Sequence, residues 1–427
     1  MTIDSGWVKI LKGNCPRAFS AKLPIKPDVV FIDGQIKLMK GEWIKTWNQF
    51  VEHQFVRTVE AAFDTGAQTV VLGFDNYEHV PTAKAPTQRR RNEKTEVVNF
   101  GPEQDLPTII PDSWPQAMRN RAFKNKVVNL VVCNMRRQYQ TDNRTLIIDW
   151  RGPVEVLGKP REVPPIVLDP MAKRGECDCK AFNYMPMGSL LIVSTDGDYL
   201  PMGMLQLEIV KVPTAQVFVH RMLTRTSKKR TDMDKKREYE YVHLNSLLVS
   251  VAHDFNQMER PAEAFAALVA MTGCDFTLGL PRLGPIKIWQ ARAAIHRNFQ
   301  LHETDLFLVL AKLYAAHFQK TCGPAARLMA MRLGGDDTPT SERDKMTPQI
   351  LEEYNTMFGR IQASKLSPSV KQQLWTAARG HAHARNVLWT MLYWSTLHEY
   401  PDPVPNGDTI YGYCLGRKGA VGFDGIV

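Results

Sequence analysis

Acidic side chains follow three apolar segments of this sequence, residues 29–32, 69–74 and 190–194. In chain order these acids are Asp33, Asp75, and the pair Asp196 and Asp198. The segments are short and rich in β-branched residues, which is typical of buried strands. Because the carboxyl ends of parallel strands meet at one edge of a sheet, we expect these carboxylates to converge. Three further acids precede or begin other predicted elements, namely Glu176, Asp178 and Asp275.

Converging carboxylates repel each other and raise each other's pKa unless cations lie between them. Hard oxygen ligands of this kind suit Mg²⁺ or Mn²⁺. Two such ions about 3.5–4 Å apart can activate water and stabilise the leaving oxygen of a phosphodiester. The pattern therefore favours metal-dependent phosphodiester chemistry. The alternative, in which each Asp only caps a helix or shapes a turn, stays open at this point.

The elements that must position these acids follow from hydrophobic spacing. The segments at 29–32 and 69–74 flank a stretch, 37–63, whose apolar residues recur three or four apart, which predicts a βαβ unit with parallel strands. Further predicted elements are a helix at 114–138, a strand at 144–150, a helix at 176–185, a hairpin at 207–242 with a basic tip at 227–236, and mostly helix from 243 to 400. Together they predict an α/β fold with a mostly parallel central sheet flanked by helices.

The chain has 427 residues and a formal net charge of +10, which favours a polyanionic partner. The longest apolar runs are far shorter than the ~20 residues of a membrane helix, so we expect no membrane association. The first residues contain no apolar signal-peptide core. Seven scattered cysteines do not resemble a disulfide framework, and we therefore expect an intracellular protein, in the nucleus or the cytoplasm.

The acids and their neighbours resemble the FEN/XPG superfamily of structure-specific 5′ nucleases, which have a PIN-like core. The matching motifs are Asp33 after VVFI, Asp75 after VVLGF, the Glu-x-Asp of Glu176 and Asp178, the Asp-x-Asp of Asp196 and Asp198 with Gly203 downstream, Gly273-Cys274-Asp275-Phe276, and Gly284-Pro285. The resemblance covers roughly residues 6–75, 84–92, 174–208 and 240–295. It implies a first Mg²⁺ or Mn²⁺ ion at Asp33, Asp75 and Glu176, with Asp178 bridging or close by. It implies a second ion at Asp196, Asp198 and Asp275, held partly through waters.

The same resemblance implies basic residues that contact nucleic acid. Lys84 and Arg91 keep the seven-residue spacing of the family's pair at the scissile phosphate, and Arg89 or Arg90 could substitute for Arg91. A solvated basic loop is the alternative for this segment. The family's helix–three-turn–helix motif binds duplex DNA and often a monovalent ion such as K⁺. Here Arg282 replaces the first turn glycine of that motif, and Gly284 and Lys287 would lie at the duplex.

These observations predict two regions. Residues 1–295 would form the nuclease core, with an arch- or cap-like region at about 76–172, a basic hairpin at 209–240 and the helix–three-turn–helix at about 262–295. Residues 296–427 would form a helical extension and tail. The predicted function is cleavage of DNA at a 5′ flap, junction or end by two metal ions. The alternatives are an RNA-cleaving member of the superfamily and a catalytically silent nucleic-acid-binding protein. No sliding-clamp peptide is evident in the sequence.

Overall fold

A single eight-stranded sheet forms the centre of the described part of the protein. The computed structural model describes residues 5–39, 44–76, 99–168, 176–210, 215–223, 238–254 and 261–272, together with 274, 284–286, 289–290 and 394. The strands are β1 (Phe19–Ser20), β2 (Val29–Asp33), β3 (Thr69–Gly73), β4 (Thr145–Asp149), β5 (Glu155–Gly158), β6 (Leu190–Val193), β7 (Val217–Leu223) and β8 (Glu238–His243).

The strand order is β1-β8-β7-β6-β2-β3-β4-β5. The five strands from β7 to β4 run parallel, whereas β5, β8 and β1 pair antiparallel at the two sides. All five residues of each of β2, β3 and β4 are buried, which is the property of parallel strands covered on both faces. The predicted α/β fold with a mostly parallel central sheet is confirmed.

Helices cover both faces of this sheet. They are α1 (Ser5–Asn14), α2 (Gly34–Leu38), α3 (Trp47–Val51), α4 (Arg57–Phe63), α5 (Trp114–Ala117), α6 (Arg121–Tyr139), α7 (Pro165–Leu168), α8 (Cys177–Phe182), α9 (Tyr199–Val210), α10 (Leu244–Asp254) and α11 (Pro261–Thr272). A π-helical turn, Glu52–Val56, joins α3 to α4. In the described segments, no helix has the length and apolar character that crossing a membrane requires.

Alternating residues of β2 point to the two faces. Val30 and Ile32 belong to the core beneath α3, α4 and α6. An aromatic cluster extends this core, with the rings of Phe50 and Trp114 centred 5.0 Å apart. On the opposite face Phe31 contacts Tyr184, which follows α8. The sheet is thus held between two helical layers, and its carboxyl edge is left for the acids.

Two predicted elements have different limits in the structure. The predicted hairpin at 207–242 is too long, because 207–210 belong to α9 and the antiparallel strands β7 and β8 begin later. Residues 199–207 of α9 are all buried, so this helix has no polar face that marks it as a helix in the sequence. Its last turn, Leu-Glu-Ile-Val, contains one polar residue between apolar ones and therefore resembles the alternation of a strand. The predicted helix at 37–63 is interrupted: α2 ends at Leu38, and Thr46 caps the start of α3 by accepting a hydrogen bond from Gln49 N.

The region from 76 to 172, predicted as an arch- or cap-like excursion, contributes to the central sheet through β4 and β5. The single helix predicted at 114–138 is two helices, because Asn120 caps α6 by accepting a hydrogen bond from Phe123 N at 3.1 Å. Residues 77–98, the hairpin tip at 227–236, half of the predicted helix–three-turn–helix and nearly all of 296–427 lie outside the described residues.

Candidate active site

Three of the predicted acids lie at the same edge of the sheet. Asp33 is the last residue of β2, Asp75 lies two residues beyond β3, and Asp196 lies three residues beyond β6. These strands are parallel neighbours in the order β6-β2-β3, so their carboxyl ends are adjacent. These three acids therefore lie at one edge of the sheet, where Asp75 and Asp196 each act electrostatically on Asp33. Their role as metal ligands stays a prediction.

The Asp33 carboxylate has two roles. Its Oδ1 accepts hydrogen bonds from Gln35 N at 3.1 Å and Ile36 N at 3.4 Å, which caps the start of α2. Its Oδ2 accepts from Ser194 Oγ at 3.0 Å and from the Tyr199 hydroxyl at 3.2 Å. Capping and a place in the acid cluster are thus compatible, since each uses a different oxygen of the same carboxylate.

The pKa of Asp33 is raised to about 7. Burial is the largest cause, because Asp33 is only 5% exposed and a charged carboxylate loses its hydration there. The neighbouring charges of Asp75 and Asp196 raise the pKa further, while the hydrogen bond from Ser194 opposes the shift. The carboxylates at this edge thus repel each other, which is the situation that a bound cation relieves.

Asp75 connects this edge to helix α8. Its Oδ1 accepts a hydrogen bond from Cys177 N, the first residue of α8, at 2.9 Å. Its Oδ2 lies 4.0 Å from the amine of Lys124 on α6. Asp75 therefore holds the start of the helix that carries Asp178 and places a cation of α6 beside the acids.

Glu176 and Asp178 are both buried at the start of α8. Glu176 occupies the N-cap position, and Asp178 lies in the first turn, where its Oδ1 accepts from Cys179 N at 2.8 Å. The place of Asp178 near the strand ends follows from its effect on the buried Tyr199. The charges of Asp33, Asp178 and Asp196 help burial to raise the pKa of Tyr199 well above its ordinary value.

Asp196 and Asp198 form a local turn after β6. Asp196 Oδ1 accepts from Asp198 N at 3.0 Å, and Asp196 N donates to Ser194 Oγ at 3.0 Å. Asp198 is 2% exposed and immediately precedes α9. Ser194 therefore contacts both Asp33 and the backbone of Asp196, which connects the first and third acidic positions.

The remaining predicted site residues are mostly beyond what the structure describes. Those outside the described residues are Asp275, Lys84, Arg89, Arg90, Arg91, Arg282 and Lys287. Gly284 is described and half-buried, and a Cβ added there would meet no atom within 4 Å. Among the residues that the structure describes, none approaches Gly284 closely enough to require a glycine.

Sequence reasoning missed a buried ion pair beside the acids. Lys180 on α8 donates to Phe74 O at 2.8 Å and lies 3.2 Å from Asp149 Oδ1. Tyr184 donates its hydroxyl to the other oxygen of Asp149 at 2.9 Å. Asp149 ends β4, so the rule that selected the other strand-end acids would also have selected it. Its partner Lys180 makes it a charge-paired acid rather than a member of the repelling cluster.

The donor chemistry of the edge fits a hard divalent cation. Within the described residues, no group of three or more His, Cys, Asp and Glu side chains stands close enough together to hold a metal ion. The Asp33 carboxylate instead accepts hydrogen bonds from the hydroxyls of Ser194 and Tyr199. The groups themselves are carboxylates, of which Asp33 is buried and Asp75 and Asp196 are half-buried, and carboxylate oxygens are the ligands that Mg²⁺ and Mn²⁺ prefer.

Comparisons with known proteins gave similar solved structures, among them two complexes of one protein. No family model and no curated protein matches the chain. One structure is the catalytic core of Rad2 in complex with DNA substrate (complex III), with 14% identity, a TM-score of 0.38, and coverage of 80% of this chain and 84% of that one. Complex II of the same protein has 13% identity, a TM-score of 0.37, and coverage of 97% and 94%. Rad2 is a FEN/XPG family protein.

Proposed function

We propose that this protein is a metal-dependent nuclease that hydrolyses phosphodiester bonds in DNA carrying a 5′ end, a flap or a junction. The observation that carries the proposal is the meeting of Asp33, Asp75 and Asp196 at the carboxyl edge of the parallel sheet, where burial and repulsion raise the pKa of Asp33 to about 7. Ligand sites of open α/β sheets lie at this edge. A buried cluster of like charges is costly unless it binds a cation.

The residues proposed to hold Mg²⁺ or Mn²⁺ divide into two sets. The first is Asp33, Asp75, Glu176 and Asp178, and the second is Asp196, Asp198 and Asp275. When bound in pairs, such ions lower the pKa of water and stabilise the leaving oxygen of a phosphodiester. Cys177 N and the hydroxyls of Ser194 and Tyr199 would orient Asp75 and Asp33 for this task, since they already donate to these carboxylates.

Basic side chains are proposed to offset the negative charge of this edge, so that a phosphate can approach the acids. Lys124 is the described cation beside the cluster, 4.0 Å from Asp75. Lys84 and Arg91, with Arg89 and Arg90, are proposed to contact the scissile phosphate. Arg282, Gly284 and Lys287, with K⁺ at the turn, are proposed to hold the duplex by its backbone, which positions DNA without reading its sequence.

The test compares cleavage by the wild type, Asp196→Asn and Asp64→Asn on 5′-flap DNA, unbranched duplex DNA and single-stranded RNA, each with Mg²⁺ or with EDTA. Asp196 is suitable because its carboxylate is partly exposed and accepts from a local backbone N–H. Asp64 is an exposed acid at the end of α4 and serves as the matched control. We expect Mg²⁺-dependent flap cleavage that Asp196→Asn lowers by more than about 100-fold, beyond the usual effect of residues around a metal site.

Three results would contradict the proposal. Cleavage of RNA alone would favour an endoribonuclease. Binding of flap DNA by the wild type without any cleavage would favour a silent nucleic-acid-binding protein. Equal cleavage by Asp196→Asn and the Asp64→Asn control would show that the acid cluster takes no part in the reaction.

A further inference from the structure

A cavity lies on the α4 side of the sheet, next to the acid cluster. Its volume is about 490 Å³, within the range of roughly 300–1,000 Å³ that small-molecule sites occupy. One wall is formed by α4 and the π-helical turn before it, and the other by β6, β7 and β8. The cavity is thus built by ordered elements of the core and has room for an organic ligand.

The charge of the cavity is one-sided. Lys37 and Arg57 contribute cationic side chains, and His53 adds an imidazole ring. None of the described residues that line the cavity is Asp or Glu. Glu52 lies outside the lining, where its carboxylate is 3.5 Å from Arg57 Nε, and both side chains are more than half exposed. An exposed ion pair of this kind contributes little to stability, so the Arg57 guanidinium is able to bind an anion.

Aromatic rings form the strand wall of the cavity. His220 on β7 faces Tyr241 on β8, with ring centroids 4.6 Å apart and planes 10° from parallel. Tyr239 lies on the other side of His220 at 4.9 Å, and its side chain is 42% exposed. Burial, and then the charge of Lys37, lowers the pKa of His220 to about 4. At neutral pH this wall is therefore a set of uncharged rings on which a flat ligand can stack.

The cavity and the acid cluster share residues after β6. Ser194 lines the cavity, and its hydroxyl donates to Asp33 Oδ2 at 3.0 Å. Thr195 also lines the cavity and immediately precedes Asp196. A ligand in the cavity would therefore contact residues that adjoin the proposed reaction centre.

We propose that this cavity binds a nucleotide, with the phosphate at Lys37 and Arg57 and the base against Tyr239 and the rings beside it. Cations together with exposed aromatic faces are the combination that holds nucleotides without sequence preference. The ligand is a free mononucleotide or the terminal nucleotide of a single strand, which offer the same chemistry. Binding here requires neither a metal nor cleavage, so it goes beyond the proposed nuclease activity.

The test is calorimetric titration of the wild type in EDTA with four probes: 5′-dAMP, deoxyadenosine, inorganic phosphate and a short 5′-phosphorylated oligothymidylate. We expect 5′-dAMP to bind at least tenfold more tightly than deoxyadenosine or inorganic phosphate. Only the nucleotide has both a phosphate for the cationic side chains and a base for the aromatic rings. Arg57→Gln is expected to weaken binding of 5′-dAMP about tenfold or more through loss of a charge-assisted contact. Tyr239→Ser is expected to weaken it about fivefold through loss of stacking.

Arg17→Gln is the matched control, because Arg17 is exposed and lies outside the cavity lining, and it should bind as the wild type does. Circular dichroism and thermal unfolding would show that each variant folds. If Arg57→Gln and Tyr239→Ser weaken the binding of both ligands, tighter binding of the oligonucleotide than of 5′-dAMP would assign a strand end, and the reverse a free nucleotide. Oligonucleotide binding that neither variant weakens would place the strand at the proposed nuclease site and overturn the cavity as its binding site. Equal affinity for inorganic phosphate and 5′-dAMP, no binding of any probe, or unchanged binding by Arg57→Gln would each overturn it. Because EDTA abolishes metal-dependent cleavage, these results are independent of the nuclease test.

Discussion

The amine of Lys180 lies 3.2 Å from Oδ1 of Asp149 in the interior of the protein, where their side chains are 1% and 4% exposed. The same amine donates to Phe74 O, directly after β3, while Asp149 is the last residue of β4. Lys180 itself lies on α8, the helix that begins beside Asp75. One buried cation thus joins the helix that carries Asp178 to the ends of two neighbouring strands.

Replacement of Lys180 by Met is expected to lower the free energy of unfolding by about 3–5 kcal/mol, because it leaves Asp149 buried without its cation. The measurement is equilibrium urea denaturation followed by circular dichroism. Lys126→Met is the control: Lys126 is 36% exposed and meets the fully exposed Asp105 at only 3.9 Å, so a change within about 0.5 kcal/mol is expected.

The double variant Lys180→Met/Asp149→Asn tests whether the two residues act as a pair. It is expected to be more stable than Lys180→Met alone, since it contains no unpaired buried charge. If the effects of the two single substitutions simply add, then the ion pair is not what Lys180 contributes.

Replacement of Gly34 by Ala tests the close approach of β2 and β3 at the acidic edge. A Cβ at Gly34 would lie 2.5 Å from Gly73 O and 2.5 Å from the ring of Phe74, distances that force the strands or the ring to move. We expect a loss of about 1–3 kcal/mol in the free energy of unfolding. Gly13→Ala is the control, because nothing lies within 4 Å of its added Cβ and helix α1 should be neutral or slightly stabilised. Equal behaviour of the two variants would contradict the predicted clash.

The strands that carry the acids could be predicted because their signal is local. Strands β2 and β3 are buried on both faces, β2 ends in Asp33, and Asp75 follows β3 by two residues, so the strand type and the edge of the sheet follow from short segments. The contacts that define the site could not be predicted from the sequence, because they join residues that are distant along the chain. Ser194 and Tyr199 reach Asp33 from 161 and 166 residues away, and no spacing rule selects them. Pairing of Asp149 with Lys180 depends on packing in the same way.

The metal-free protein should show a pH dependence caused by Asp33. Its pKa is about 7 in the folded state and about 4 in the unfolded state, so between these values the folded state holds a proton that the unfolded state has lost. The resulting stability is fully present below pH about 4 and is lost as the pH rises through about 7. Asp33→Asn cannot titrate, so its free energy of unfolding should fall less over this window.

The measurement is urea denaturation in EDTA from pH 4 to pH 8 for the wild type, Asp33→Asn and Asp64→Asn. The Asp64→Asn control should follow the wild type, since Asp64 is exposed. All other titratable groups except the substituted one are the same in the three proteins, so the difference between variants removes their contribution. Parallel curves for the wild type and Asp33→Asn would show that Asp33 does not hold a proton at neutral pH.

Lys124 is expected to contribute a phosphate contact at the acidic edge. It projects from α6 to within 4.0 Å of Asp75 Oδ2, and its side chain is 24% exposed, so it is accessible from solvent. Lys124→Gln should weaken the binding of 5′-flap DNA and reduce the slope of log affinity against log salt by about 1, because one fewer counterion is released. The measurement is fluorescence anisotropy over a series of KCl concentrations, in EDTA to prevent cleavage.

Lys26→Gln is the matched control for this measurement. Lys26 is exposed and precedes the first residue of β2, so it lies at the amino edge of the parallel strands, opposite the acids. Removing its charge should leave the salt dependence unchanged if DNA approaches only the carboxyl edge. An equal loss of slope in both variants would indicate binding through general surface charge, and an unchanged slope in Lys124→Gln would show that the phosphate backbone does not reach α6.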